Sequence, residues 1–317
     1  MEIFVTGGAG FIGSHLCEEL IRQKIHVVCV DNFNDYYNPL IKKRNIENLL
    51  QQDGFELIEA DILDFAAMKK IYLEHSFAAV VHLAARAGVR PSIQQPLLYE
   101  EVNVKGTTNL LELTRQFKVP KFILASSSSV YGNNKRVPFH ESDNVDYPVS
   151  PYAATKKACE LIAYTYFHLY QISISCIRFF TVYGPRQRPD MAIHKFTRLI
   201  DQGAPIPVFG DGSTKRDYTF ISDIVDGLLS ALASCSGYEI YNFGDSRTIN
   251  LMEMIQTIEK YLEMKAILQY LPPQPGDVEI TFADINKAQQ KLNYQPKIYF
   301  DDGIRLFCEW FKRNQKL

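Results

Sequence analysis

Thr6-Gly7-Gly8-Ala9-Gly10-Phe11-Ile12-Gly13 is the stretch that decides how this chain folds. It follows the apolar, β-branched run Glu2–Thr6 and opens the amphipathic stretch Phe11–Lys24, so it reads as strand, tight turn and helix. Gly7 and Gly10 let the backbone turn sharply and approach a pyrophosphate, and Gly13 lets the helix lie close against the strand. The first helical turn, with Phe11 and Ile12, then offers its unpaired N–H groups and its dipole to phosphate charge.

Outward from this turn, short apolar runs alternate with longer amphipathic ones. The spacing predicts strands at Glu2–Thr6, Ile25–Asp31, Phe55–Asp61, Ala78–Leu83, Lys121–Ser126 and Ile172–Phe179. It predicts helices at Phe11–Lys24, Phe65–His75, Leu97–Phe117 and Pro151–Tyr170. Continuous apolar strands such as Val27-Val28-Cys29-Val30 suit a parallel sheet covered on both faces. The expected fold is therefore α/β, a doubly wound parallel sheet of right-handed βαβ units. After about residue 180, prolines and glycines cluster and the elements shorten. We expect residues 1–178 to form the dinucleotide-binding domain, with segments near 217–243 returning to it. Residues 179–317 should form a smaller mixed α/β substrate lobe, the ligand lying between the two at the carboxyl ends of the strands.

Composition narrows the function. The 317 residues carry 34 basic and 36 acidic side chains, a net charge of -2, so no strong field recruits nucleic acid or an anionic membrane. No apolar run approaches the roughly 18 residues of a membrane span, and the start reads as a strand of the fold rather than a leader. Six scattered cysteines suggest neither a disulfide framework nor a zinc cage but a reducing, cytoplasmic setting. The seven histidines show no metal-ligand spacing, and no metal is expected.

Asp31 ends the second strand, where a carboxylate accepts both ribose hydroxyls and repels a 2′-phosphate. Asn32-Phe33-Asn34 supplies no arginine to offset that repulsion, so the cofactor implied is NAD. Asp61 and Ile62, ending the third strand, are candidates for the adenine side, and Leu83 and Ala84, ending the fourth, are expected to border the cofactor. Tyr152 and Lys156 stand four apart on a helix and share a face. A free phenol ionises near pH 10 and is a poor base at neutral pH, but an ammonium one turn away stabilises phenolate. In Ala125-Ser126-Ser127-Ser128-Ser129-Val130-Tyr131-Gly132, at a strand end, a hydroxyl can hold the substrate oxygen that Tyr152 deprotonates.

Together the glycine turn, the Asp31-Asn32 pair, Ser-Ser-Ser-x-Val-Tyr-Gly and Tyr-x-x-x-Lys resemble the extended short-chain dehydrogenase/reductase family acting on nucleotide sugars, over essentially the whole chain. Within that family, Asp31–Tyr37, Ala84–Arg90 and Arg178–Ala192 are most similar to the UDP-glucuronate 4-epimerases. The resemblance implies a Rossmann-type fold, NAD, and C4 epimerisation of UDP-glucuronate to UDP-galacturonate through a transient 4-keto sugar. It assigns Tyr152 as acid/base and Lys156 as its tuner and a contact of the nicotinamide ribose. Ser127 becomes the hydroxyl partner of Tyr152, with Ser128 and Ser129 against the sugar. Arg216 would pair with the diphosphate, and Pro207-Val208-Phe209 would flank the uracil. Thr181 and Gln274 stand where many neutral-sugar epimerases carry asparagine and arginine, which argues for a charged sugar.

Two related reactions lose a reactant group here. Dehydratases place Asp-Glu right after the catalytic hydroxyl and decarboxylases a glutamate at the second of those places; this chain has Ser128 and Ser129. A buried C6 carboxylate needs a cation, for which Arg188 is the first choice and Arg186 and Arg90 the rivals. The alternatives are a UDP-glucose or UDP-N-acetylglucosamine 4-epimerase and, behind them, a UDP-glucuronate decarboxylase. By analogy with relatives, Leu97–Phe117 and Pro151–Tyr170 would pack into the four-helix bundle of a homodimer.

Overall fold

The computed structural model describes residues 1–272 and 278–314. Its strands are β1 (Glu2–Thr6), β2 (His26–Asp31), β3 (Phe55–Glu59), β4 (Ala79–His82), β5 (Lys121–Ser127), β6 (Ser173–Phe179), β7 (Thr181–Tyr183), β8 (Pro205–Phe209), β9 (Lys215–Phe220), β10 (Tyr238–Phe243), β11 (Thr248–Asn250) and β12 (Ile267–Leu271). Seven of them build one sheet in the order β10-β6-β5-β4-β1-β2-β3, every pair parallel. This is the expected doubly wound sheet, and its order reverses between β1 and β4, opening a crevice above their carboxyl ends.

Alternation along the central strands divides the core into two layers. Ile3, Val5, Val27 and Cys29 enter one apolar cluster, while Phe4, Val28 and Val30 enter the other. All six cysteines are buried free thiols within these layers. The sequence beyond residue 180 contributes two small sheets, β11-β9-β7 and β12-β8. Of the segments near 217–243, Tyr238–Phe243 joins the main sheet beside β6, whereas Lys215–Phe220 pairs with β7 and β11 instead.

Two helices position the site. Pro151–Tyr170 begins where its sequence says it should: Ser150 Oγ accepts the Ala153 N–H at 3.2 Å, and Pro151 occupies the first turn, where no N–H is needed. The expected helix Leu97–Phe117 differs. It runs as Pro96–Tyr99, a π-helical turn Glu100–Lys105, and Gly106–Gln116. The wider turn brings in Asn103, which is buried, accepts the Arg86 N–H (2.8 Å) and donates to Arg86 O and Thr155 Oγ1 (both 3.0 Å). Those tertiary bonds compensate a π turn that local propensity disfavours. Among the described residues, no helix is long and apolar enough to cross a membrane.

Candidate active site

A cleft of about 480 Å³ opens at the reversal of strand order, and most of the residues singled out from the sequence converge on it. Gly7, Gly10, Phe11, Ile12 and Gly13 form one wall. Gly7 adopts a left-handed φ of +70°, and a Cβ there would lie 2.7 Å from Ala84 N; a Cβ on Gly13 would collide with the Gly7 carbonyl. Among the described residues no side chain caps the helix at Gly10, so its opening N–H groups remain available at the cleft wall. Such a cradle fits a dinucleotide's pyrophosphate.

Asp31 lines the cleft farther along, but not as an isolated carboxylate. Its Oδ1 accepts the Phe33 N–H (2.9 Å) and the ammonium of Lys42 (3.2 Å), both side chains being almost fully buried. Lys42 also lies over the Tyr37 ring, 5.4 Å from its centroid. Asp61 accepts from Asn32 Nδ2 (2.8 Å) and Leu63 N (2.8 Å), which ties the ends of β2 and β3 into one polar rim beside Ile62. Leu83 and Ala84 border the same space.

Tyr152 and Lys156 project from one face of Pro151–Tyr170 into the cleft. Lys156 is buried and spends one N–H on Ala125 O at 2.7 Å, which fixes the ammonium against the end of β5. The Tyr152 ring meets Tyr99 edge-on, centroids 6.2 Å apart, and Tyr99 is held by a 2.6 Å bond from its hydroxyl to Ala87 O. Opposite stand Ser127, Ser128 and Ser129. Ser127 Oγ accepts the Ser129 N–H and donates to Ser129 Oγ, both at 3.1 Å, so the short turn after β5 presents its hydroxyls as a set.

Of the three arginines weighed as a cation, Arg188 lines this cleft together with Thr181. Its Nε and NH2 donate to Asp190 at 3.0 and 2.9 Å, and its Cζ lies 5.4 Å from the centroid of Tyr36. Burial pushes the Asp190 carboxyl up, but the bonds from Arg188 and its charge override this and leave it below the usual carboxylate range. Arg186 instead pairs with Glu18 at 2.6 Å, on the first helix, and Arg90 stacks on Phe209, 4.6 Å from its centroid. Arg216 and Arg90 line an adjoining cavity of about 280 Å³ with Pro207 and Phe209. Val208 does not reach it: its side chain is fully buried in the core, because neighbours along a strand point to opposite faces. Gln274 lies outside the described residues.

Lys42, Tyr99, Asn103 and Asp190 had been given no part by the sequence, although all four hold or border the cleft. Only Asp190, two residues from Arg188, stood close enough in sequence to suggest its partner.

A cleft with these walls, a glycine cradle at one end and an amino-phenol pair at the other, belongs to a dinucleotide-dependent enzyme of the short-chain dehydrogenase/reductase type. The GDP-mannose 4,6 dehydratase family model matches residues 4–307, and the chain belongs to that family. It is 45% identical to the UDP-glucuronate 4-epimerase of Thermodesulfobacterium geofontis, covering 99% of this chain and 97% of that one. The crystal structure of UDP-glucuronic acid 4-epimerase from Bacillus cereus, in complex with UDP-glucuronic acid and NAD, superposes with a TM-score of 0.93 at 36% identity over 99% of both chains. A UDP-glucose 4-epimerase from Thermotoga maritima, solved with UDP-glucose, follows with a TM-score of 0.91 at 32% identity, over 99% of this chain and all of that one.

Proposed function

We propose that this chain is a UDP-glucuronate 4-epimerase, an isomerase that interconverts UDP-glucuronate and UDP-galacturonate with NAD. The observation that carries the reading is the meeting of Tyr152, Lys156, the three serines and Arg188 in one cleft with the glycine cradle. The residues that would hold NAD are Gly7, Gly10, Phe11, Ile12 and Gly13 at the pyrophosphate, and Asp31, Asn32, Asp61, Ile62, Leu83 and Ala84 at the adenosine half. Tyr152 and Lys156 would hold its nicotinamide end. When bound, NAD accepts hydride from the sugar and gives it back.

The chain's own residues do the rest. Tyr152 takes the proton of the C4 hydroxyl, and Lys156, pinned to Ala125 O, stabilises the phenolate and would also hold the nicotinamide ribose. Ser127 shares the C4 oxygen through its hydroxyl, and Ser128, Ser129 and Thr181 hold the sugar. Arg216, with Pro207 and Phe209, receives the nucleotide. The 4-keto sugar then turns over in the cleft so that C4 presents its opposite face to the returning hydride, and Tyr152 gives its proton back to the C4 oxygen.

A 4-keto uronate is a β-keto acid and loses CO₂ when its carboxylate bond stands perpendicular to the carbonyl. Arg188 and the hydroxyls of Thr181 and the serines hold the carboxylate off that alignment, a positioning effect. No carboxyl group stands at Ser128 or Ser129 to drive dehydration or assist decarboxylation.

We assign residues 1–178, with the returning strand Tyr238–Phe243, to the cofactor domain and 179–317 to the sugar lobe. The enzyme is proposed to be cytoplasmic and a homodimer. Exposed Leu97, on the short helix Pro96–Tyr99, and Leu161 and Leu169, on Pro151–Tyr170, favour a second copy as their cover.

The deciding experiment incubates the purified protein with UDP-glucuronate, without added NAD, and separates the products. UDP-galacturonate is the expected product. UDP-pentose as the main product would make the chain a decarboxylase, and turnover of UDP-glucose alone would make it a neutral-sugar epimerase.

A further inference from the structure

Behind the serine run lies a buried ion pair that the chemistry above does not use. Glu160 sits one turn past Lys156 on Pro151–Tyr170, and Arg178 lies on β6; both side chains are 1% exposed. Arg178 grips the carboxylate with two prongs, Nε to Oε1 at 2.9 Å and NH2 to Oε2 at 2.8 Å. Oε1 also accepts the hydroxyl of Ser126 at 2.6 Å. The remaining prong of Arg178 donates to Tyr131 Oη at 3.0 Å, and that hydroxyl donates to Asn242 on β10 at 2.6 Å. Burial pushes the Glu160 carboxyl up, and Arg178 with Ser126 reverses this, so it is held ionised, below its ordinary range.

We propose that Glu160 and Arg178 are positioning residues, setting the register between the Lys156-bearing turn of the helix and the serine-bearing end of β5. The inference rests on the reading that Ser127 and Lys156 belong to the acid–base machinery. Stability does not account for the pair, because taking two charges out of water costs so much that a well-packed apolar pair commonly serves a core as well or better. What an apolar pair lacks is direction. A bidentate guanidinium–carboxylate fork fixes distance and angle together. This one clamps Ser126, the immediate neighbour of Ser127, while its acid lies four residues from Lys156 and its base binds the tyrosine that closes the serine turn. The pair thus fixes the separation between the serine hydroxyls and the ammonium, which slippage of either element would change.

Two variants test this, each assayed for kcat, KM and melting temperature on UDP-glucuronate. Ser126→Ala cuts the link to the serine strand and leaves the ion pair intact. It should lower kcat by about tenfold, as misplacement of reacting groups does, with KM and melting temperature unchanged. Glu160→Met/Arg178→Met exchanges the pair for apolar side chains; it should fold, bind UDP and lose at least as much kcat. A merely structural role would lower the melting temperature and spare kcat. Full kcat in Ser126→Ala overturns the proposal whether or not the double variant folds, and so does a folded double variant with full kcat. Ser127→Ala separates this from the underlying reading: loss there with none in Ser126→Ala sinks the positioning role alone, and no loss in either sinks both.

Discussion

Arg188→Ala should damage turnover of a uronate and leave a neutral sugar nearly untouched. The guanidinium faces the cleft with a full set of partners, Asp190 at 2.9 and 3.0 Å and the Tyr36 ring at 5.4 Å, so it is held in place before any substrate arrives. A charge-assisted hydrogen bond contributes about 1.5–3 kcal/mol, and each ~1.4 kcal/mol is tenfold. Loss of one such bond to the C6 carboxylate therefore lowers kcat/KM on UDP-glucuronate by roughly 10- to 150-fold. The upper end is expected, because the same change strips Asp190 of its cation and leaves its carboxylate facing the substrate's. Arg188→Ala/Asp190→Asn removes that repulsion and should recover part of the loss. Initial rates on UDP-glucuronate and UDP-glucose measure the effect, and chromatography shows whether UDP-pentose now accompanies UDP-galacturonate. Equal losses on both sugars, or an unchanged rate on the uronate with no pentose, would refute the assignment of Arg188 to the carboxylate.

Tyr152→Phe removes the acid/base and should lower kcat by about 10²- to 10⁴-fold with substrate still bound; wild-type rates would dismiss the mechanism. Gly13→Ala drives a methyl group into the Gly7 carbonyl, so the purified variant should carry markedly less NAD, read from its absorbance and from activity restored by added cofactor. Burial, with the charge of Lys156 adding to it, pushes the His82 imidazole down to about 3. Thr107 Oγ1 gives its proton to Asn103 O, so His82 Nε2–H donates to Thr107 while Nδ1 accepts from Thr6, a neutral ring in a closed set of bonds. Below pH about 6.5 the unfolded chain takes up a proton that the folded chain refuses, so stability falls by roughly 1.4 kcal/mol per pH unit from this group as pH drops toward 4. Urea midpoints between pH 7 and 4.5 should show a shallower fall in His82→Gln, and an identical slope would remove His82 as the cause.

What the sequence disclosed, and what it hid, divides by distance along the chain. Gly7, Gly10 and Gly13 act within one turn, and Tyr152 and Lys156 within one helical face, so their spacing reported their geometry. The partner of Asp31 is Lys42, brought back by a loop whose path no local pattern sets. The π turn at Glu100–Lys105 depends on Arg86 and Thr155, and the Glu160–Arg178 pair joins a helix to a strand; each exists only once tertiary packing does. Val208 is different. Period-two alternation within Pro205–Phe209 already implied that it opposes Pro207 and Phe209, and the signal was there to be read.

The six sulfhydryls sealed in the two apolar layers give this enzyme a set of built-in clocks. A maleimide in solvent finds none of them while the sheet is closed, so each labelling event times an excursion of one layer. Cys17 and Cys29, beneath the glycine turn, would register breathing of the cofactor cradle, and Cys308, on the helix Phe300–Asn314, that of the sugar-lobe side. Comparing those rates with and without nucleotide would show which half of the protein the ligand quiets.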